Sequence, residues 1–441
     1  MLVQFAIRNF KTFKERMVLS LLASNYDKDT RENENVVFET AFKLRVLKSA
    51  VVYGANASGK SKIIEALKFM RDFVIQSSKE SQKGDAIPVE PFRLEKESEQ
   101  ISSEFEAIFI FQNEMYRYGF EVTKEKVISE WLYFKPKTKE IELFYREEQK
   151  FVIHRNFSKG ATLVKEDLVR ENALMLSVAA QFNDKIAGNV LKWFNGLGVI
   201  SGLDEAGYQG FTMGKTKSPH YKEKILQLLK AADLGIHDII LEPLDISKLP
   251  KQMPKEIRES IERQIKEEHT EFISDVLTTH KKYDSSGKHA GDVQFSLEKE
   301  ESSGTKKFFA LTGPVIDTLE KGSVLIVDEL DSKLHPNLVS KIVSLFNSKD
   351  FNSNNAQLIF NTHDTNLLSS GLFRRDQIWF TEKDKFGASK LFSVADFKSE
   401  VRKTENFEEK YIRGKYGAVP YLEEFENFMN AKLLLSHENE G

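Results

Sequence analysis

The sequence contains no cysteine. That absence excludes disulfides, thiol nucleophiles and cysteine-ligated zinc, and it is compatible with a reducing cytosol. Neither H-x-x-x-H nor H-E-x-x-H occurs, so no zinc site is expected. No apolar run reaches the length of a membrane span. The opening residues, MLVQFAIRNFKTF, are interrupted by Gln4, Arg8, Asn9 and Lys11. They lack the apolar core of a signal peptide, and a cytoplasmic protein with no membrane partner is the expectation. Neither sign of charge dominates: 64 Lys and Arg face 67 Asp and Glu, a net charge of -3. Any nucleic-acid surface therefore has to be local. Internal repeats and low-complexity tails are absent.

What is present is a globular composition. The 441 residues are 40% hydrophobic and 30% charged, enough for about two or three domain-sized units. Val3, Phe5 and Ile7 alternate with polar residues as in a strand. Residues 103 to 155 carry five alternating segments with short polar turns, the pattern of an antiparallel meander. Residues 186 to 283 read as mainly helical, with Lys255 to His280 as one charged helix striped by Ile257, Ile261, Ile265, Phe272 and Val276. The final stretch, from KYGAVPYL onward, reads as a helix. Lys215 to Lys224 form a basic cluster that reads as a solvated loop, with DNA contact as the alternative.

Two motifs carry chemistry. Gly54-Ala55-Asn56-Ala57-Ser58-Gly59-Lys60-Ser61 matches the phosphate-loop pattern G-x-x-x-x-G-K-[ST]. A buried strand precedes it and a helical pattern, Ile63 to Ile75, follows. Glycines let the backbone curl so that its N–H groups face a phosphate, and the helix N-terminus adds its positive end. Lys60 can reach the β- and γ-phosphates of ATP, and the Ser61 hydroxyl can ligate Mg²⁺. The second motif is Val324-Leu325-Ile326-Val327-Asp328-Glu329, an apolar strand ending in two acids. Asp328 can hold Mg²⁺, and Glu329 can act as general base on an attacking water.

The spacing between these motifs is informative. About 265 residues separate Lys60 from Asp328, room for inserted subdomains. That gap resembles the ABC-type ATPases of the SMC, double-strand-break repair and OLD group. The resemblance implies an α/β fold: an ABC-type P-loop ATPase head with an antiparallel β subdomain and a helical insertion. The implied divisions are 1–185, an N-terminal lobe; 186–290, the insertion; and 291–441, a C-terminal lobe. Further elements then follow by likeness. Ser302-Ser303-Gly304-Thr305 resembles a degenerate ABC signature, in which Ser303 and Gly304 would contact the γ-phosphate of the opposite subunit. Thr305 and Lys306 depart from the family's usual second Gly and Gln, and an ordinary N-capped helix is the alternative. Leu330 to Pro336 resembles a D-loop, with Asp331 crossing a dimer interface. His363, in Asn361-Thr362-His363-Asp364, resembles the switch histidine that holds the attacking water. Gln181 stands where a Q-loop glutamine is expected, or is simply an ordinary helix-start residue.

With IRNFKTF, YGANASGKS and NALMLSVAAQFN, the motif order is similar to the stand-alone ABC-type AAA family ATPases of prokaryotic anti-phage defence, the abortive-infection and restriction-linked kind. That resemblance implies ATP and Mg²⁺ as cofactors and a homo-dimer or higher homo-oligomer. It also implies a separately encoded effector such as a nuclease. About 78 residues follow His363, too few for a Toprim nuclease besides the last ATPase strands. The segment 186–283 also lacks an SMC-type coiled coil. The nucleotide-binding subunit of an ABC transporter and an SMC-like DNA repair ATPase are the alternatives.

Overall fold

In the computed structural model, residues 27, 40, 81, 246–252, 267–272, 398–404, 421–428 and 430–441 are left undescribed; everything below concerns the rest. The C-terminal helix expected from the sequence lies largely outside the described residues. The chain is a mixed α/β protein and divides into two compact units.

One unit comprises residues 2–32, 38–194 and 365–441. Its alternating segments form a seven-stranded antiparallel sheet. The strand order is Lys150–Ile153, Ile141–Glu147, Val127–Lys135, Glu114–Val122, Ser103–Phe111, Leu2–Arg8 and Met17–Ser20. Period-two patterning puts Phe105, Ala107 and Phe109 on the buried face. The β subdomain expected from the sequence is therefore present, and its first strand is supplied by the N-terminus. Glu130 and Arg146, both fully buried, sit 3.6 Å apart. Glu130 accepts the N–H groups of Met175 and Leu176 at 2.7 and 3.0 Å. A carboxylate thus receives the orphan donors that open helix Met175–Gln181. Burial pushes the Glu130 carboxyl up from its ordinary value, against the pull of Arg146.

The same unit holds the fully buried strand Ser49–Gly54. Strand Ile378–Lys383 pairs with it in parallel, Thr381 opposite Gly54. Strand Ser389–Ser393 pairs antiparallel with Ile378–Lys383. Helix Lys60–Gln76 follows Ser49–Gly54 and buries Ile63, Ile64, Leu67, Met70, Phe73 and Val74, the apolar face legible in the sequence.

The other unit comprises residue 1 and residues 33–37 and 195–364. Leu197–Ser201, Val324–Asp328 and Gln357–Asn361 are adjacent parallel strands. Helices Ala206–Thr216, Pro219–Ala231, Ser303–Lys321 and Pro336–Asn347 belong to the same unit. It also carries an antiparallel sheet of Ile236–Pro243, Ile273–Tyr283 and His289–Ser296. This sheet departs from the mainly helical expectation for residues 186 to 283. Helix Lys255–Lys266 covers only the first part of the predicted long helix, and from Ile273 the chain is a strand. The reason is geometric. Residues four apart share a face in a strand as well as in a helix, so spacing alone could not separate the two. β-branched Val276, Thr278 and Thr279 favour the strand.

Candidate functional site

The loop between Ser49–Gly54 and Lys60–Gln76 has a backbone that its glycines permit. Gly54 and Gly59 have φ of 152° and 112°, and Ala57, at 61°, is also left-handed. A Cβ at Gly54 would lie 2.4 Å from the Thr381 carbonyl oxygen, and one at Gly59 would lie 2.7 Å from Ser389 Oγ. Both positions therefore exclude any side chain, by dihedral angle and by contact. Ser58 is anchored through Oγ to Thr381 Oγ1 at 2.6 Å. Asn56 and Ala57, at the crest, are exposed. Lys60 is 6% exposed; its ammonium folds back to donate to the carbonyls of Gly54 and Ala55 at 2.7 and 3.0 Å. Ser61 is half-buried in the first helical turn. A curled loop at a helix start, with a buried lysine over it, is an anion cradle.

In the other unit, strand Val324–Asp328 delivers Asp328 and Glu329 at its C-terminal end. Both acids are held by Asn361, which is completely buried. Its side-chain amide donates to Asp328 Oδ1 and accepts from Glu329 N–H, each at 2.5 Å. Glu329 is left-handed, with φ 52°. The Gly202 N–H donates to the Asp328 carbonyl at 2.5 Å. Asp331 Oδ2 accepts the His363 N–H at 3.2 Å, and the His363 side chain is exposed. Ser303 opens helix Ser303–Lys321 and is exposed there; Ser302 caps it, accepting Thr305 N–H at 3.1 Å. Lys307, one turn further, is fully buried and donates to the carbonyls of Glu329, at 3.2 Å, and of Ser332. Burial lowers the Lys307 ammonium to about 8, although Asp331 and Glu205 pull the other way.

Asp328, Glu329, Asp331, His363, Ser303 and Gly304 thus share one unit, and the loop Gly54 to Ser61 and Gln181 belong to the other. Gln181 is exposed at the end of its helix. The start of that helix is bonded to the far end of Lys60–Gln76, through Ser77 and Ser78, not to the phosphate loop. Among the described residues no group of three or more His, Cys, Asp and Glu side chains could hold a metal ion. The Ser61 hydroxyl and the Asp328 carboxylate are hard oxygen donors, the ligand type that Mg²⁺ takes besides water and phosphate oxygens. The basic cluster lies largely on helices Ala206–Thr216 and Pro219–Ala231 rather than in the expected loop, and three of its lysines are paired within their own unit: Lys215 with Asp317 at 2.5 Å, Lys222 with Asp238 at 2.8 Å, and Lys224 with Glu320.

A family model described as "AAA domain, putative AbiEii toxin, Type IV TA system" matches residues 49–369. The chain belongs to that family. As an AAA-domain protein it carries a nucleotide-binding ATPase domain, and the match begins at the strand that feeds the phosphate loop. Among solved structures, the SMC head domain from Thermotoga maritima aligns with a TM-score of 0.41 and 14% identity, over 89% of this chain and 98% of that one. No curated protein matches the chain. No described helix is long and apolar enough to cross a membrane.

Two residues of this AAA-domain protein escaped the motif reading. Asn361 lies in the quoted Asn361-Thr362-His363-Asp364 run; its signal is a polar residue closing an apolar strand. Lys307 shares a helix face with Ala310, Leu311 and Pro314, all buried. A lysine on an apolar stripe is the pattern that would have exposed it.

Proposed function

We propose that this protein is a Mg²⁺-dependent ATPase whose heads pair around ATP and which gates a separately encoded effector in anti-phage defence. The observation that carries the ATPase reading is the phosphate loop, with its two obligatory glycines and its buried Lys60. In this reading the N–H groups from Asn56 to Ser61 cradle the phosphates and Lys60 turns from the loop carbonyls to the β- and γ-oxygens. Ser61 and Asp328 are the protein ligands of Mg²⁺, which would neutralise phosphate charge. Glu329 takes the proton of the attacking water, and His363 orients that water. Ser303, Gly304 and Asp331 act on the partner head, and Gln181 reports nucleotide state. The two-head arrangement and the effector rest on the family likeness. Phosphate release from MgATP by the purified chain tests the core of the proposal. Turnover that survives Lys60→Ala would overturn it. Effector gating is tested by affinity purification from native cells with and without phage, then calorimetry of the captured partner. A nucleotide can shift binding only by its differential affinity for the two states, so equal affinity for nucleotide-free and ATP-trapped Glu329→Gln forms would exclude gating.

A further inference from the structure

The turn after strand Val324–Asp328 presents three carbonyl oxygens to one helix. A Cβ at Gly304 would lie 2.9 Å from the Lys333 carbonyl oxygen, so the first turn of Ser303–Lys321 rests directly on that turn. Three positions on, on the same helix face, Lys307 donates to the carbonyls of Glu329 and Ser332. Its side chain is 0% exposed. A buried ammonium is tolerated only where acceptors surround it, and these acceptors belong to the residue read above as the general base and to Ser332, three residues on.

Glu329 itself is an unusual residue. It is left-handed without being glycine, a conformation that persists only where surrounding contacts impose it. Those contacts come from both sides of its backbone. Asn361 holds the N–H at 2.5 Å. Lys307, at 3.2 Å, and the Ser332 N–H, at 3.3 Å, hold the carbonyl. The Asn361 grip comes from a neighbouring strand, whereas the Lys307 grip comes from the helix that begins with Ser303 and Gly304.

We infer that Lys307 is a positioning residue that couples the start of the Ser303–Lys321 helix to the backbone of Glu329. A load on Ser303 and Gly304 then reaches the backbone of Glu329 through the Lys307 side chain, beside the direct packing of Gly304 on the Lys333 carbonyl. The inference rests on the proposed roles of Ser303, Gly304 and Glu329, but the link itself is a property of this unit's packing. An anion seated on the helix start would bias the helix, and Lys307 would pass that bias to the left-handed turn.

The test uses the full chain with Lys307→Met, which keeps the volume and loses the donors, and Lys307→Arg, which keeps charge and N–H groups. Without nucleotide, Lys307→Met is expected to speed hydrogen exchange of the amides of residues 330–334 at least tenfold, with Lys307→Arg nearer to the original protein. In turnover, Lys307→Met is expected to lower kcat at least tenfold and to change KM less than threefold. Ser303→Ala should then cost turnover in the original background and nothing further in Lys307→Met, the non-additivity of coupled residues. A purely structural lysine would instead lower the folded fraction and leave the Ser303→Ala factor unchanged. Unchanged exchange, or an equal Ser303→Ala factor in both backgrounds, overturns the inference. Should Lys307→Met fail to fold, Lys307→Gln supports the same comparison. If the original protein shows no Lys60-dependent turnover, the ATPase proposal fails, and the exchange measurement still decides whether Lys307 holds the turn.

Discussion

Asn361 donates its side-chain amide to Asp328 Oδ1 at 2.5 Å. The other end of the same amide accepts the Glu329 N–H, also at 2.5 Å. An uncharged amide can do both at once, because it carries a donor NH₂ and an acceptor oxygen on two separate atoms of one short stem. One buried residue therefore holds the Asp328 carboxylate and the Glu329 backbone at once.

Replacing Asn361 by Leu removes both bonds and leaves a buried N–H and a carboxylate oxygen unpaired. Each such group costs about 1–3 kcal/mol, so Asn361→Leu should lower the urea midpoint and reduce Mg²⁺-dependent turnover more than tenfold. Unaltered stability and turnover in this variant would mean that the clamp is idle.

Lys60 and Glu329 should fail differently. Lys60→Ala removes the charge opposite the phosphates and is expected to abolish ATP binding in equilibrium dialysis. Glu329→Gln should retain binding and stall at hydrolysis, because an amide cannot accept the water's proton. Equal loss of affinity in the two variants would contradict these roles.

Pairing of heads predicts rescue by mixing. Lys60→Ala and Ser303→Arg chains are expected to be inactive alone. In a mixed dimer both lesions fall at one composite site and the other site stays intact, so part of the ATPase should return. Absence of recovery after demonstrated subunit exchange would argue that each head works alone.

Lys307 leaves a signature in stability. Its pKa falls to about 8 in the folded protein, chiefly through burial, against 10.5 ordinarily. Between those values the unfolded chain binds more protons, so this group makes stability rise with pH across about 8 to 10.5. Below pH 8 the buried charge is a standing cost. The unfolding free energy of the original protein minus that of Lys307→Met should rise by about 1–3 kcal/mol over this window. Urea titrations of both proteins at pH 7, 8, 9 and 10 would reveal a flat difference if the lysine were not desolvated.

Features whose information is local could be read directly from the residues. The phosphate loop needs two glycines and a lysine within eight consecutive residues, and its flanking strand and helix announce themselves by period. The antiparallel strands between 103 and 155 were legible for the same reason, since alternation at period two is written into each segment. Three other features came from packing between distant segments. Residues 273 to 283 became a strand because an i, i+4 apolar pair is ambiguous, and pairing with Ile236–Pro243 and His289–Ser296 resolves it. Asn361 became the clamp on Asp328 across 33 positions of sequence, and Lys307 the tether of Glu329 across 22. No spacing rule predicts such contacts, because the partners meet only when parallel strands and the helix beside them pack. Once packed, a buried donor must find an acceptor or forfeit its hydration, and that requirement assigns each of these side chains its place.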